Sequence, residues 1–161
     1  MQALPRSERF FAPEISKVLF AADLADPEAY TRVEAEASID LTNEIADLSG
    51  FAVTSGMIDT PDMGSRFTSQ IGGRTSAEAS SITFYADKAG NDVRTVLSRG
   101  TTGFLIFMDG GDVPGQPSDI YAVQVSSVGK VRSVGDQAFQ VTISFAITSE
   151  PAEDVDIPAA A

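Results

Sequence analysis

The chain has 161 residues, 43% of them hydrophobic, a formal net charge of −12, and neither cysteine nor histidine. That length suits one domain with a real core, while the acidic balance argues against gripping nucleic acid, since phosphate binding needs clustered Lys and Arg. Without cysteine there is no disulfide or thiolate metal site, and without histidine there is no Ser-His triad and no common zinc ligand or general base.

The charge is uneven. Residues 1–50 carry 4 basic and 10 acidic groups, 51–100 carry 5 of each, and 101–161 carry 2 and 8. No continuous apolar segment of secretory-signal type opens the chain, and no stretch approaches membrane-spanning length, so a soluble protein made in the cytosol is expected.

In chain order, residues 1–9 read as a loose polar arm, the start of an N-terminal arm over about 1–22. Phe10-Phe11 and 15–21 read as short strands broken by Pro13, which suits a sheet edge. Asp26-Pro27-Glu28 reads as a helix start, with Ala29, Tyr30, Val33 and Ala37 as a thin apolar stripe. Residues 44–58 read as two strands joined near Ser49-Gly50. The stretch 59–79 holds Pro61, Gly64, Gly72 and Gly73 among many Ser and Thr, with Met63, Phe67 and Ile71 as its large apolar residues. It reads as a long connection, and connections of that length are usually functional or mobile.

The centre of the chain reads as strand, short helix, strand. Ile82 and Phe84 alternate with Thr83 and Tyr85. Asn91 is a good N-cap, Val93, Val96 and Leu97 fall at i, i+3 and i+4, and Gly100 can stop the helix. Residues 104–108 (FLIFM) are the most apolar run, of strand length. After a turn-rich 110–119, two long strands are expected near 119–134 and 138–149, joined at Gly135-Asp136-Gln137. In the second, Phe139, Val141, Ile143, Phe145 and Ile147 make an apolar face, opposite an uncharged face of Gln140, Thr142, Ser144, Ala146 and Thr148. The acidic tail, about 150–161, reads as extended or flexible.

Motifs that carry chemistry are missing. Gly129-Lys130 lacks the rest of a phosphate loop. Asp109-Gly-Gly-Asp112 lacks the alternating acids of a calcium loop and reads as a turn after a buried strand. Asp59 and Asp62 form a near pair that reads as side-chain caps at a loop entry. Tyr30, Tyr85 and Tyr121 are scattered without basic neighbours, so no base-stacking platform is indicated. Nothing here needs to be catalytic, and no cofactor or metal is called for.

Three phrases taken together, GSRFTSQIGGRT (64–75), SSITFYADKAGNDVRTVLSRGTTG (80–103) and MDGGD (108–112), resemble the major tail tube proteins of long-tailed, siphovirus-type phages, particularly those of actinobacteria. The resemblance spans about 44–158. It implies a mainly β fold, two packed antiparallel sheets forming a sandwich or barrel with one flanking α-helix, in a single tail tube domain. It also implies a structural protein of the virion tail, synthesised in the host cytoplasm. Its copies would form homo-hexameric rings stacked into a hollow tube, through which phage DNA passes during ejection without specific binding. Tape measure, tail terminator and baseplate or tail tip proteins would be its partners. In such proteins the long loop reaches an adjacent subunit or ring, so Phe67 and Ile71 become apolar anchors while Arg66 and Arg74 meet acids there. Two other classes fit parts of the residue pattern: a monomeric β-sandwich binding or adhesion module, which should present an aromatic patch, and a carboxylate-only hydrolase, which needs paired acids in a pocket.

Overall fold

Period-two alternation of apolar residues dominates the second half of the chain, and strands form there. A computed structural model describes residues 3–160. Its elements are β1 (Lys17–Ala21), α1 (Arg32–Ala37), β2 (Ile39–Asp40), β3 (Ile45–Ser49), β4 (Val53–Thr60), β5 (Ser69–Ala77), β6 (Ser80–Tyr85), β7 (Thr102–Met108), β8 (Pro117–Val131), β9 (Gln140–Ile147) and β10 (Ala152–Asp156). Short 3-10 turns lie at Thr42–Glu44 and Val93–Thr95. Hydrogen-bonded neighbours run β2-β1-β7-β8-β9-β6-β3 in an open sheet, β10 adds to β8, and β4 and β5 form a separate two-stranded sheet. The mainly β class with one helix and two antiparallel sheets agrees with the expectation from sequence.

The chain divides into two compact units. The first comprises residues up to Asn43, Phe104–Ile120 and the segment from Pro151 onward. Its core holds Leu19, Leu24, Tyr30, Ile106, Met108, Ile120 and Ile157. β1 pairs with both β2 and β7, from Lys17↔Met108 to Ala21↔Phe104, so it lies inside the sheet and not at its edge. Phe10 and Phe11 belong to no strand and are exposed. The helix starts five residues later than Asp26 suggests. Asp26 Oδ1 instead accepts the Glu28 N–H in a local turn, and Thr31 with Glu34 forms a reciprocal capping box that starts α1. Arg32 forks onto both oxygens of Asp112, with Nη2 to Oδ2 at 2.8 Å, tying α1 to the turn after β7.

The C-terminal stretch, expected as a flexible tail, contains β10. Val155 pairs with Ser118 and Asp156 with Pro117. The Asp154 N–H donates to Asp119 Oδ1 at 2.9 Å, Ser118 Oγ donates to the Val155 carbonyl at 2.8 Å, and Ile157 is buried. The aliphatic side chains of Val155 and Ile157, spaced among acids and prolines, supply the core contacts that composition concealed.

The second unit is Glu44–Gly103 with Tyr121–Glu150. β9 lies between β6 and β8, and its Val141, Ile143 and Phe145 are buried as the alternation requires. On its other face Thr142 shares a hydroxyl hydrogen bond with Thr83 at 3.0 Å. The strands β8 and β9 end at Val131 and begin at Gln140, so their connection is longer than a tight turn at 135–137. Residues 91–99 do not form the expected helix. Asp92, and not Asn91, is the N-cap of the 3-10 turn; its carboxylate accepts N–H groups of Arg94 and Asp87 and pairs with the Arg94 guanidinium, which holds it well below the usual carboxylate range. Val93 and Leu97 are buried as the stripe requires, but Gly100 turns left-handed and gives its N–H to the Val125 carbonyl at 2.8 Å.

The Arg32 guanidinium beside Asp112 lowers that carboxyl below its ordinary value. A depressed folded-state pKa stabilises above the unfolded value and loses that contribution as pH falls through the folded value. Asp112→Asn is therefore expected to lower thermal stability at neutral pH. Its melting temperature should converge with wild type as pH falls below the ordinary carboxylate range, in unfolding followed by circular dichroism.

Candidate functional site

Most of the stretch 59–79 is not loop. β4 and β5 pair from Val53↔Ala77 to Thr60↔Ser69, leaving only 61–68 as the tip of a hairpin. The register shifts between Ser55 and Met57, where β5 carries the extra residue. Gly73 serves that shift, because a Cβ there would lie 3.0 Å from the Gly56 carbonyl oxygen. Side-chain bonds hold the outer rungs: Gln70 Nε2 donates to Asp59 Oδ1 at 2.6 Å, and Thr60 Oγ1 lies 2.8 Å from Ser69 Oγ. Asp62 caps the Gly64 N–H and Ser65 the Phe67 N–H, so the tip is shaped by local turns. Asp62 is therefore a local cap, whereas Asp59 is a cross-strand acceptor and not a cap.

Successive residues of a strand point to opposite faces. Met57 is 67% exposed and its neighbour Ile58 is 51% exposed, so neither face of the hairpin is covered. Ile71, paired with Ile58, is 55% exposed, and Phe67 at the tip is 76% exposed. Met63 is also fully open. The four residues singled out from sequence thus lie on one hairpin, with Arg66 and Phe67 at its tip and Ile71 and Arg74 on β5, all exposed. Met57, Ile58 and Met63 complete the apolar set. The first two fall in the segment 44–58 that reads as ordinary strand, directly after Thr54, Ser55 and Gly56.

Charge on the hairpin is balanced. Asp59 and Asp62 offset Arg66 and Arg74 between residues 53 and 77, in a chain whose net charge is −12.

The root of the hairpin is held tightly. Gly50 and Phe51 both take left-handed backbone conformations, φ +86° and +58°. A Cβ at Gly50 would sit 2.7 Å from Ser80 Cα, so only glycine fits. The same conformation at Phe51 costs roughly 1–2 kcal/mol, and three contacts offset it. The Phe51 N–H donates to Ser80 Oγ at 2.9 Å, its carbonyl accepts from Tyr121 Oη at 2.6 Å, and its ring meets Tyr121 edge-on at a centroid distance of 5.5 Å. The ribbon is thus firmly rooted and leaves both of its faces open. Among the described residues no group of three or more His, Cys, Asp or Glu could hold a metal ion, and no helix is long and apolar enough to cross a membrane.

The Phe67→Ser, Ile71→Ser double variant is expected to melt close to wild type, within about 1 kcal/mol in stability, because neither side chain enters a core. Gly50→Ala is expected to destabilise by more than that. Denaturant titration of the two side by side checks both.

Residues 4–160 match the sequence profile of a family described as phage tail tube protein. No curated protein matches the chain. Among solved structures, a chain of the anti-feeding prophage baseplate, determined by cryo-electron microscopy and six-fold symmetrised, is similar in fold. Its TM-score is 0.52 at 11% identity, covering 92% of this chain and 95% of that one. An Hcp protein crystal structure matches with a TM-score of 0.44 at 11% identity, covering 83% and 89%.

Proposed function

The chain belongs to the phage tail tube protein family, and from that premise we propose that its copies assemble, through the 53–77 hairpin, into stacked hexameric rings forming a hollow tube. The family is structural, and this chain is read as a structural component of the virion tail and not as an enzyme. The observation that carries the assembly reading is a rooted hairpin with both faces open, five exposed large apolar side chains and no net charge. An isolated two-stranded hairpin is marginally stable in water, so a surface of this kind gains order when a neighbour covers it. Phe67 and Ile71, with Met57, Ile58 and Met63, are the apolar anchors in this reading. Arg66 and Arg74 meet carboxylates of the adjacent subunit. Identical subunits joined head to tail close into rings or extend into filaments, and the count of six comes from the sequence resemblance.

In this proposal phage DNA passes through the tube during ejection without specific binding. An acidic or neutral wall makes no chain of phosphate contacts that must be broken one by one. The subunit is synthesised in the host cytoplasm, and its tube meets tape measure, tail terminator and baseplate or tail tip proteins.

Concentrated purified protein viewed by negative-stain electron microscopy is expected to show rings or tubes. The Phe67→Ser, Ile71→Ser variant, folded but unable to grow tubes, is the paired expectation. Isolated particles at every concentration, together with tails lacking the protein, would support a monomeric binding module instead. Assembled tubes are further expected to show no measurable affinity for free duplex DNA at physiological salt in a mobility-shift assay; salt-sensitive binding in the micromolar range would contradict the proposed lumen.

A further inference from the structure

β7 ends at Met108, and the chain then turns through Asp109, Gly110 and Gly111, with the Gly111 N–H donating to the Met108 carbonyl at 3.0 Å. No other aspartate or asparagine in the chain is followed by glycine. An amide nitrogen following aspartate can attack the side-chain Cγ, and a side chain on the attacking residue hinders that approach. Glycine removes the hindrance. A fold normally suppresses the reaction by holding the carboxylate in hydrogen bonds or the amide N–H in regular structure. Neither protection is present here. Among the described residues, nothing donates to the Asp109 carboxylate, whereas Asp87, Asp92, Asp112 and Asp119 each accept hydrogen bonds. Gly110 lies outside every strand, and its N–H has no acceptor among the described residues.

The carboxyl's surroundings also favour the reactive form. Asp109 shares a small pocket with Asp119 from β8 and Asp154 from the stretch containing β10, and no Lys or Arg lines it. Burial and the Asp119 charge push the Asp109 carboxyl above its ordinary value. Ring closure requires the neutral acid, because the departing oxygen leaves as water.

We infer that Asp109-Gly110 is a spontaneous covalent modification site, at which the folded chain converts Asp109 to isoaspartate through a cyclic succinimide. The Gly110 nitrogen forms a bond to Asp109 Cγ, the Cγ–OH bond breaks, and that hydroxyl leaves with the amide proton as water. Water then adds back. Addition at Cγ restores aspartate; addition at the main-chain carbonyl carbon leaves the backbone running through Cβ and Cγ, with no net change in mass. The product places an extra methylene in the main chain at the end of β7. It also displaces the Asp109 carbonyl that accepts the Ser16 Oγ hydrogen bond at 2.6 Å, loosening the turn before β1. This inference does not depend on tube assembly.

The test incubates the whole purified chain at physiological temperature in mildly acidic and in neutral buffer, with a urea-unfolded sample alongside. Isoaspartate is detected with protein isoaspartate methyltransferase and labelled methyl donor, then located by tandem mass spectrometry. Folded wild type is expected to accumulate isoaspartate at position 109 several-fold above any other aspartate, and faster in the acidic buffer. Asp109→Glu keeps the charge and should lose the signal, because the larger ring closes slowly. Asp109→Asn should show the deamidation mass shift well before Asn43 or Asn91 does. Gly110→Ala is avoided, since a Cβ there would run into the Gln116 side-chain oxygen. The inference is overturned if position 109 stays unmodified in the folded chain while the unfolded sample converts. It is equally overturned if folded Asp109→Asn stays intact.

Discussion

The corner at Gly50 and Phe51 fixes how the β4–β5 ribbon leaves its unit. Two consecutive left-handed residues turn the chain out of β3, and the Phe51 ring, N–H and carbonyl are all engaged by Tyr121 and Ser80. The Glu78 N–H closes the root from the other strand by donating to the Ala52 carbonyl at 2.9 Å. Beyond that point the ribbon has its ladder and its side-chain rungs, but no core. Its direction is set at the root while both faces stay open, and in the proposed assembly a docking neighbour supplies the cover that the ribbon's own unit does not.

Magnitudes favour repeated contacts over a simple pair. Burying five exposed apolar side chains contributes on the order of 5–10 kcal/mol, and association in solution costs about 4–15 kcal/mol. One hairpin is therefore marginal as the sole glue of a dimer. In a ring every subunit both gives and receives such a contact, and closure makes the last contact intramolecular. Charge points the same way. Copies carrying a net −12 repel one another, yet the hairpin is neutral, so docking it adds no like charge to the interface.

Much of the fold was legible in the residue pattern, and the misses have physical causes. The strict alternation of Val141, Ile143 and Phe145 announced β9, and the FLIFM run announced β7. Asp26-Pro27 is a strong local start signal, but the capping box of Thr31 and Glu34, at the three-residue spacing, is what starts the helix. The 91–99 helix failed because Asp92 spends its carboxylate on the Asp87 loop and Gly100 bonds to β8, tertiary partners that no local window contains. β5 reads as loop because its glycines serve a register shift and its polar residues have no buried face to alternate against. β10 reads as tail because an acidic composition outweighs two apolar residues. For the hairpin, the sequence singles out Phe67 and Ile71 in one segment, while the pairing of Ile71 with Ile58 and the openness of both faces need the structure.

The central claim is that the β4–β5 hairpin is ordered by a neighbouring copy. Amide hydrogen exchange resolved by peptide, on free subunits and on assembled tubes at the same pH and temperature, tests it most directly. The account predicts fast exchange across residues 53–77 in the free subunit and strong protection there after assembly, with β6 and β9 already protected in both. Equal exchange across 53–77 in the two states, with new protection appearing elsewhere, would contradict it.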